Sequence, residues 1–156
     1  MPIWPSRRAA TVTAGCRRRS PNIVYLLDTN IISELRKRYP HPAVVDWVRA
    51  VPSDDLYLSA LTIGELQAGV EATRARDPEK GREIEVWIDQ VASTWNVLPL
   101  DARVMRAWAR LMVGQQNELI EDGMIAAVAV VHRLIVVTRN VKDFKPFGVE
   151  ILNPFP

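Results

Sequence analysis

Three carboxylates of this 156-residue chain stand beside predicted junctions between strands and helices. Asp28 ends the first apolar run, Glu65 lies about one turn into the helix after the second, and Asp122 begins the helix before the fourth. Two carboxylates about 5 Å apart repel by roughly 3 kcal/mol at an effective dielectric near 20, so a fold that gathers several must protonate one, pair them or bind a cation. An all-oxygen cluster suits Mg²⁺ or Mn²⁺.

Each of these positions also has a purely structural interpretation. Asp28 and Asp122 have the short oxygen side chains that cap helices, and Glu65 suits the positive end of a helix dipole. Asn140 and Asp143, which follow the fourth apolar run, are common turn residues. Taken singly, every residue fits the structural interpretation better, and only their joint placement at one edge of a sheet favours a metal site.

Other kinds of catalytic centre find little support in the sequence. Neither His41 nor His132 has metal-ligand spacing to a second histidine or to a cysteine, so a zinc site is not expected. The single cysteine, Cys16, permits no intrachain disulfide and has no histidine near it. No Gly-x-Ser-x-Gly elbow is present, and we expect no catalytic triad.

The elements that must position the three carboxylates alternate along the chain. Short apolar runs predict strands over 23–27, 56–58, 97–100, 134–137 and 149–152. Apolar residues at helical spacing predict a helix that follows residue 28 and is stopped by Pro40, another opened by Pro42, and further helices over 62–76, 78–96, 102–116 and 122–132. Strands joined by helices imply an α/β fold, a parallel sheet with helices on both faces. Ligands bind such sheets beyond the carboxyl ends of the strands.

The charge of the chain is unevenly distributed. Five of its 20 basic residues lie in residues 1–22, which contain no acidic residue. Residues 23–156 therefore hold 15 basic and 18 acidic residues, a net charge of −3, although the whole chain carries +2. The predicted domain thus has no bulk positive charge to attract a polyanion, and nucleic-acid binding would depend on local patches and a bound cation.

We divide the chain into a basic tail, residues 1–22, and one domain, residues 23–156. The tail lacks the apolar core of a secretory signal, and no apolar run reaches the roughly 18 residues of a membrane span, so we expect a cytoplasmic protein. The tail is either a nucleic-acid-binding arm, a disordered segment, or the product of a start codon upstream of the native one near Val24. We favour disorder or a misplaced start.

Four segments of the chain resemble the signatures of PIN-domain nucleases, and within that family the VapC and FitB toxins. They are residues 25–30 (YLLDTN), 59–66 (SALTIGEL), 121–127 (EDGMIAA) and 137–144 (VTRNVKDF), followed by a typical closing ILNP at 151–154. The resemblance covers nearly everything from residue 24 onward, and the tail departs from it. It implies a PIN-like fold, a five-stranded parallel sheet with helices on both sides and an acidic metal-binding pocket.

The resemblance also implies roles for individual residues. Asp28 and Asp122 would be the principal ligands of Mg²⁺, for which Mn²⁺ could substitute, and Glu65 would complete the triad directly or through water. The fourth catalytic position, often an aspartate in the family, is Asn140 here, with Asp143 close by. Two hydroxyls would support the carboxylates or water: those of Thr29 and Thr138.

The activity implied is hydrolysis of RNA phosphodiester bonds by the toxin of a type II toxin–antitoxin system. Family members of this type are usually homodimers, and a cognate antitoxin blocks the pocket. Since the predicted domain is net acidic, RNA affinity should come from local cations, for which we select Arg139, Arg36 and Lys142. Arg139 is the best placed, because it precedes Asn140.

Two other function classes remain open at this point. A metal-dependent phosphatase on a similar doubly wound fold would commonly use an aspartate nucleophile, although one subgroup carries Asp-x-Asp where this chain reads Asp28-Thr29-Asn30. The chain could also be a catalytically inactive PIN-like module that binds nucleic acid or protein. The presence of all three core acids disfavours that second alternative.

Overall fold

Five parallel strands form one sheet in the order β3-β2-β1-β4-β5. A computed structural model describes residues 23–156, and the basic tail that we predict for residues 1–22, including Cys16, lies outside the described residues. The strands are β1 (Tyr25–Leu27), β2 (Leu56–Ser59), β3 (Asn96–Leu98), β4 (Ile135–Val137) and β5 (Ile151–Leu152). The helices are α1 (Thr29–Leu35), α2 (Pro42–Ala50), α3 (Ala60–Arg74), α4 (Pro78–Thr94), α5 (Ala102–Leu111), α6 (Ile120–His132) and α7 (Val141–Phe144).

Helices cover both faces of the sheet, because alternate residues of a strand point to opposite sides. Leu26 of β1 and Val136 of β4 pack in one core with α5, α6 and α7. Their neighbours Leu27 and Val137 pack in a second core with α1, α2 and α4. This two-sided burial explains why β1 and β4 are continuous apolar runs, and it confirms the predicted α/β class.

Local sequence signals fix where several helices begin. Pro42 and Pro78 occupy the first turns of α2 and α4, where a residue without an N–H group is tolerated. Asp101 accepts a hydrogen bond from the N–H of Val104 and so caps α5. Within residues 23–156, no helix combines the length and the apolar composition that a bilayer crossing requires.

Two helices begin earlier than their apolar spacing predicts. The side chain of Ser59 accepts a hydrogen bond from the N–H of Leu61 at 3.1 Å, so α3 begins at Ala60 and Glu65 lies in its second turn. A 3₁₀ turn (Asn117–Leu119) leads directly into α6 at Ile120, and no side chain caps that helix. Asp122 therefore lies in the first turn of α6, which begins two residues before the predicted start.

Two other helices end earlier than predicted. α1 stops at Leu35, well before Pro40, because the polar residues 36–39 form a turn. α5 stops at Leu111, and the chain then turns at Gly114, whose φ of 76° is readily adopted only by glycine. Neither difference moves a predicted site residue.

The chain order places a topological switch point between β1 and β4. From β1 the chain builds outward through β2 and β3 on one side, then crosses to β4 and β5 on the other. Connections that leave β1 and β4 in opposite directions open a crevice beyond the carboxyl ends of these strands. Asp28 follows β1 and Thr138 follows β4, so the predicted site residues line this crevice.

Candidate metal centre

Asp28 is a buried carboxylate fixed across the switch point. Its N–H donates to the carbonyl oxygen of Val137 at 2.9 Å, and only 5% of the residue is exposed. Its Oδ1 accepts from the N–H of Thr29 at 2.7 Å, while Oδ2 accepts from the amide of Asn30 at 2.6 Å and the hydroxyl of Thr138 at 2.7 Å. Burial raises the pKa of Asp28, and these hydrogen bonds only partly offset that effect.

Glu65 approaches the same edge from α3. Its carboxylate accepts a hydrogen bond from the hydroxyl of Thr29, and the hydroxyl of Thr62 lies 3.3 Å from that same Thr29 oxygen. Burial raises the pKa of Glu65, and the charges of Glu121 and Asp28 raise it further. The side chain is thus held by α1 while its charge is disfavoured by acidic neighbours.

Asp122 enters from the first turn of α6. Burial raises its pKa to about 6, with further contributions from the charges of Asp28, Asp143 and Glu121. Its surroundings therefore disfavour the charged form of Asp122.

Five carboxylates therefore interact at this edge, and we call them the acidic cluster: Asp28, Glu65, Glu121, Asp122 and Asp143. Within residues 23–156, none of the five lies within ion-pair distance of a lysine, arginine or histidine. Repulsion within the cluster is thus not offset by a cationic side chain of the described domain. With no ion pair among the described residues, protonation of a carboxyl and a bound cation are the two remaining means of neutralisation.

The residues that follow β4 take different parts. The Thr138 hydroxyl is fully buried; besides donating to Asp28, it accepts from the amide of Asn30 at 3.1 Å and the N–H of Asn140 at 2.9 Å. Asn140 is exposed, and its contact with this network is made by its backbone. Asp143 acts on Asp28 and Asp122 through its charge.

The sequence interpretation missed two members of the site. Glu121 belongs to the acidic cluster, and its position beside Asp122 in a helix start was the available signal. Asn30 bridges three residues, because it donates to Asp28 and Thr138 and accepts from the N–H of Arg139 at 3.2 Å. Its place two residues after Asp28 gave no indication of that role.

The three cations selected for RNA binding lie in different parts of the domain. Arg139 directly follows Thr138, and its guanidinium lies 4.9 Å from the centre of the Phe155 ring. Arg36 lies at the end of α1, 5.8 Å from the Trp87 ring centre. Lys142 is exposed on α7. Within residues 23–156, none of the three forms an ion pair with a member of the acidic cluster, so their part in RNA binding stays a prediction.

The donor set fits a hard divalent cation. The cluster offers carboxylate oxygens, with hydroxyl and amide oxygens beside them, and no histidine or cysteine, which suits Mg²⁺ or Mn²⁺. As placed, no three His, Cys, Asp or Glu side chains among residues 23–156 converge like the ligands of one ion. Mg²⁺ usually keeps several waters and is held by only one or two carboxylates, so a closed cage of three is not required.

Comparison with known protein families decides which group the chain belongs to. A family model for the PIN domain matches residues 25–147, a stretch that contains every member of the acidic cluster. The chain belongs to the PIN-domain family. The family predicted from the four sequence signatures is therefore confirmed.

Relatives of this PIN domain match it over almost their full length. The VapC ribonuclease Y4jK of Sinorhizobium fredii is 37% identical over 140 residues, which cover 83% of this chain and 96% of the relative. Toxin FitB of Neisseria gonorrhoeae is 32% identical over 140 residues, which cover 83% of this chain and 97% of the relative. The predicted similarity to VapC and FitB proteins is thus confirmed.

A solved structure supports the same assignment of the PIN domain. The crystal structure of FitAcB from Neisseria gonorrhoeae superposes with a TM-score of 0.74 at 32% sequence identity. The match covers 84% of this chain and 98% of that chain. The five-stranded parallel sheet predicted from the sequence is therefore the fold of this family.

Proposed function

We propose that this PIN domain is an Mg²⁺-dependent endoribonuclease and the toxin of a type II toxin–antitoxin system. The acidic cluster carries the proposal, because the charges of five carboxylates act on one another there and no cationic side chain of the described domain pairs with them. The similar VapC ribonuclease and FitB toxin, named for such roles, support it further.

The reaction we propose is the hydrolysis of an RNA phosphodiester bond. A divalent ion, when bound, neutralises a non-bridging phosphate oxygen and lowers the pKa of a coordinated water. Asp28 and Asp122 are the proposed ligands, with Glu65 completing the set directly or through water. Mn²⁺ carries oxygen ligands similarly and is expected to substitute.

Glu65 is the proposed proton acceptor. The Thr29 hydroxyl holds its carboxylate in place at the edge of the sheet, where it can accept a proton from water. As a water oxygen attacks phosphorus in line with the leaving oxygen, one P–O bond forms, the opposite one breaks, and the water proton passes to Glu65. The leaving oxygen takes a proton from solvent and departs as an alcohol. No side chain of the protein needs to become covalently attached.

The hydrogen-bonded residues around Asp28 have an orienting role in this proposal. Thr138 and Asn30 both donate to Oδ2 of Asp28, which fixes the plane of the carboxylate. Oδ1 accepts from the N–H of Thr29 and keeps one lone pair for a ligand. Asn140, at the fourth family position, holds Thr138 through its backbone, and Asp143 adds negative charge.

The proposed partners follow from the relatives. Crystal structures of similar chains describe FitAcB, and FitAB bound to the IR36 DNA fragment. We propose that this PIN domain likewise forms a complex with a cognate antitoxin and assembles as a homodimer, as expected from the sequence resemblance.

Incubating the purified chain with a defined single-stranded RNA tests the proposed activity. We expect cleavage with Mg²⁺ or Mn²⁺ that is abolished by a chelator and falls by at least about 10²-fold in Asp28→Asn, because a principal ligand is lost. Asp46→Asn is the matched control, since Asp46 is exposed on α2 and outside the acidic cluster. Equal cleavage by wild type and Asp28→Asn would contradict the proposal.

A further inference from the structure

Three arginines of this domain are stacked on aromatic rings. Arg36 lies over Trp87 at 5.8 Å, Arg38 over Tyr39 at 5.4 Å, and Arg139 over Phe155 at 4.9 Å. Within the part of the chain that the structure describes, no carboxylate lies within ion-pair distance of any of them, whereas Arg74 pairs with both Glu71 and Glu85. Arg139 lies close enough to the buried Glu34 to help lower the pKa of that carboxyl, without forming an ion pair with it. A guanidinium held over a ring and outside ion-pair distance of an acid is ordered and can still meet an anionic ligand.

Arg139 is tied to the acidic cluster through its backbone. Its N–H donates to the side-chain oxygen of Asn30 at 3.2 Å, and the amide of Asn30 donates to Asp28 at 2.6 Å. The backbone of Arg139 is therefore two hydrogen bonds from the most buried acid of the site. The guanidinium itself lies over Phe155, so a strand held at the acidic cluster would reach it by extending to that ring.

The Phe155 ring packs against the guanidinium of Arg139. An Asx-type bond from the Phe155 N–H to the side chain of Asn153, 3.0 Å long, fixes the backbone of this terminal segment. The ring packs against the core shared by α1 and α2, and its centre lies 5.7 Å from the centre of the His41 ring. Phe155 thus links Arg139 at the sheet edge to the first residue before α2.

Residues 36–41, the segment between α1 and α2, lie next to Phe155 through His41. Glu34 is buried and accepts from Lys37 at 2.5 Å and from the N–H of His41 at 2.9 Å, so both ends of the segment are held. Between them, Tyr39 is 80% exposed, with Arg38 over its ring. An aromatic side chain so exposed contributes little to the core and presents a face for stacking.

We propose that an unpaired RNA strand leaving the acidic cluster passes over Arg139 and crosses residues 36–41, where a base stacks on Tyr39. Aromatic rings and guanidinium planes are the surfaces on which proteins stack the splayed bases of single-stranded RNA. A protein partner would be expected to bring carboxylates to these arginines, whereas RNA supplies both phosphates and rings. The inference rests on the proposed nuclease function and assigns one part of its substrate path.

Binding of a fluorescent single-stranded RNA in the Asp28→Asn background, measured by anisotropy, tests this path without cleavage. Tyr39→Ala should weaken binding by about tenfold, since stacking on an aromatic side chain is lost. Arg139→Gln should weaken binding and also reduce the slope of log Kd against log salt by about 1, the value for one lost phosphate contact. Tyr39→Ala should leave that slope unchanged. Phe155→Leu should cause part of the loss of RNA affinity that Arg139→Gln causes. Phe155→Tyr, which keeps an aromatic ring under the guanidinium, should bind RNA like the parent protein.

Two control variants match these substitutions. Arg133→Gln removes an exposed arginine at the opposite edge of the sheet, between the end of α6 and the start of β4. Val113→Ala removes a side chain that is as exposed as Tyr39, at 79%. Both should bind RNA like the parent protein, which separates the proposed path from general losses of charge or surface.

The outcomes distinguish this inference from the proposed function. If the wild-type chain cleaves RNA while Tyr39→Ala, Phe155→Leu and Arg139→Gln bind it unchanged, the path is wrong and the nuclease stands. If these variants keep RNA affinity but lose binding to the cognate antitoxin, the surface serves a protein partner and the inference is overturned. If the wild-type chain cleaves no RNA with Mg²⁺ or Mn²⁺, both proposals fail together.

Discussion

Asp122 is an example of an acid whose surroundings disfavour its own charge. Burial and the charges of Asp28, Asp143 and Glu121 raise its pKa from 3.8 to about 6. Because this folded-state pKa lies above the unfolded one, the protonated form stabilises the fold. That contribution is complete below pH 3.8 and is lost as the pH rises through about 6. We therefore expect this contribution to the stability of the metal-free domain to be lost as the pH rises to neutral or alkaline values.

Asp122→Asn should increase the free energy of unfolding of the metal-free protein at pH 8. The neutral amide removes the cost of burying a charge and the repulsion from the other acids. Because the group is only partly buried, the full shift is discounted for solvent screening, and we expect a gain of about 1–2 kcal/mol at that pH. The gain should shrink toward zero as the pH falls to about 4, where the wild-type carboxyl is protonated as well. Urea unfolding with a chelator present measures both values.

The control for this prediction is Asp46→Asn, because Asp46 is exposed on α2. It should leave the free energy of unfolding within about 0.5 kcal/mol of wild type at both pH values. A destabilised Asp122→Asn at pH 8 would show that its charge is favourable in the metal-free fold, contrary to the repulsion inferred here.

Thr138 offers a second prediction at the same scale. Its buried hydroxyl donates to Asp28 and accepts from Asn30 and from the N–H of Asn140. Thr138→Val keeps the shape but removes three hydrogen bonds, one of them to the buried carboxylate of Asp28, so the free energy of unfolding should fall by about 1–3 kcal/mol. Thermal or urea unfolding in the presence of a chelator measures the loss.

Thr73→Val provides the matched comparison. The Thr73 hydroxyl donates only to the carbonyl of Gly69 within α3, which remains bonded along the helix, so the cost should stay within about 0.5 kcal/mol. Equal costs for Thr138→Val and Thr73→Val would mean that the network around Asp28 adds nothing to stability.

At the scale of elements, the sequence predicted the order of strands and helices because burial leaves a clear pattern. β1 and β4 are covered on both faces and read as unbroken apolar runs, which predict strands directly. Helix starts were less well predicted, since α3 is set by the Ser59 cap and α6 by a preceding 3₁₀ turn. Such local hydrogen bonding is not visible in apolar spacing.

The candidate site was predicted in part for the same reason. Asp28, Glu65 and Asp122 follow from strand order, because parallel strands bring their carboxyl ends together. Asn30 was missed, since residues two apart do not face each other in a helix. Asp28, however, has the extended backbone of an N-cap, with φ of −69° and ψ of 157°, and its carboxylate turns toward Asn30.

The packing of α3 on α4 supplies a prediction at this scale. A Cβ atom at Gly81 would lie 2.8 Å from the Cβ and 2.9 Å from the Cα of Arg74, so the two helices approach closely only because Gly81 lacks a side chain. Gly81→Ala should lower the free energy of unfolding by about 1–2 kcal/mol, because overpacking outweighs the gain in helix propensity. Urea unfolding measures the change.

Gly69→Ala is the control, since Gly69 also lies in α3 and a Cβ atom there meets no heavy atom within 4 Å. This substitution should raise the free energy of unfolding by about 0.5–1 kcal/mol through helix propensity alone. A stabilising effect of both substitutions would show that α3 and α4 are less tightly packed than the structure indicates.

At the scale of the whole molecule, charge constrains how a polyanion is bound. Residues 23–156 carry a net charge of −3, and the acidic cluster concentrates negative charge at the crevice where we propose that RNA is cut. A bound divalent ion would reduce the negative charge of the cluster, and the ring-stacked arginines supply positive charge elsewhere on the domain. Function at this crevice therefore depends on the cation more than on the overall charge.

The binding of Mn²⁺, followed by electron paramagnetic resonance, tests most directly whether the acidic cluster holds a cation. We predict a saturable site in the wild-type protein at pH 7.5, with affinity reduced by about tenfold or more in Asp28→Asn and unchanged in Asp46→Asn. Binding should also weaken below pH 6, because the carboxyl of Asp122, with its pKa of about 6, becomes protonated. Equal Mn²⁺ affinity in the wild type and Asp28→Asn would contradict the account.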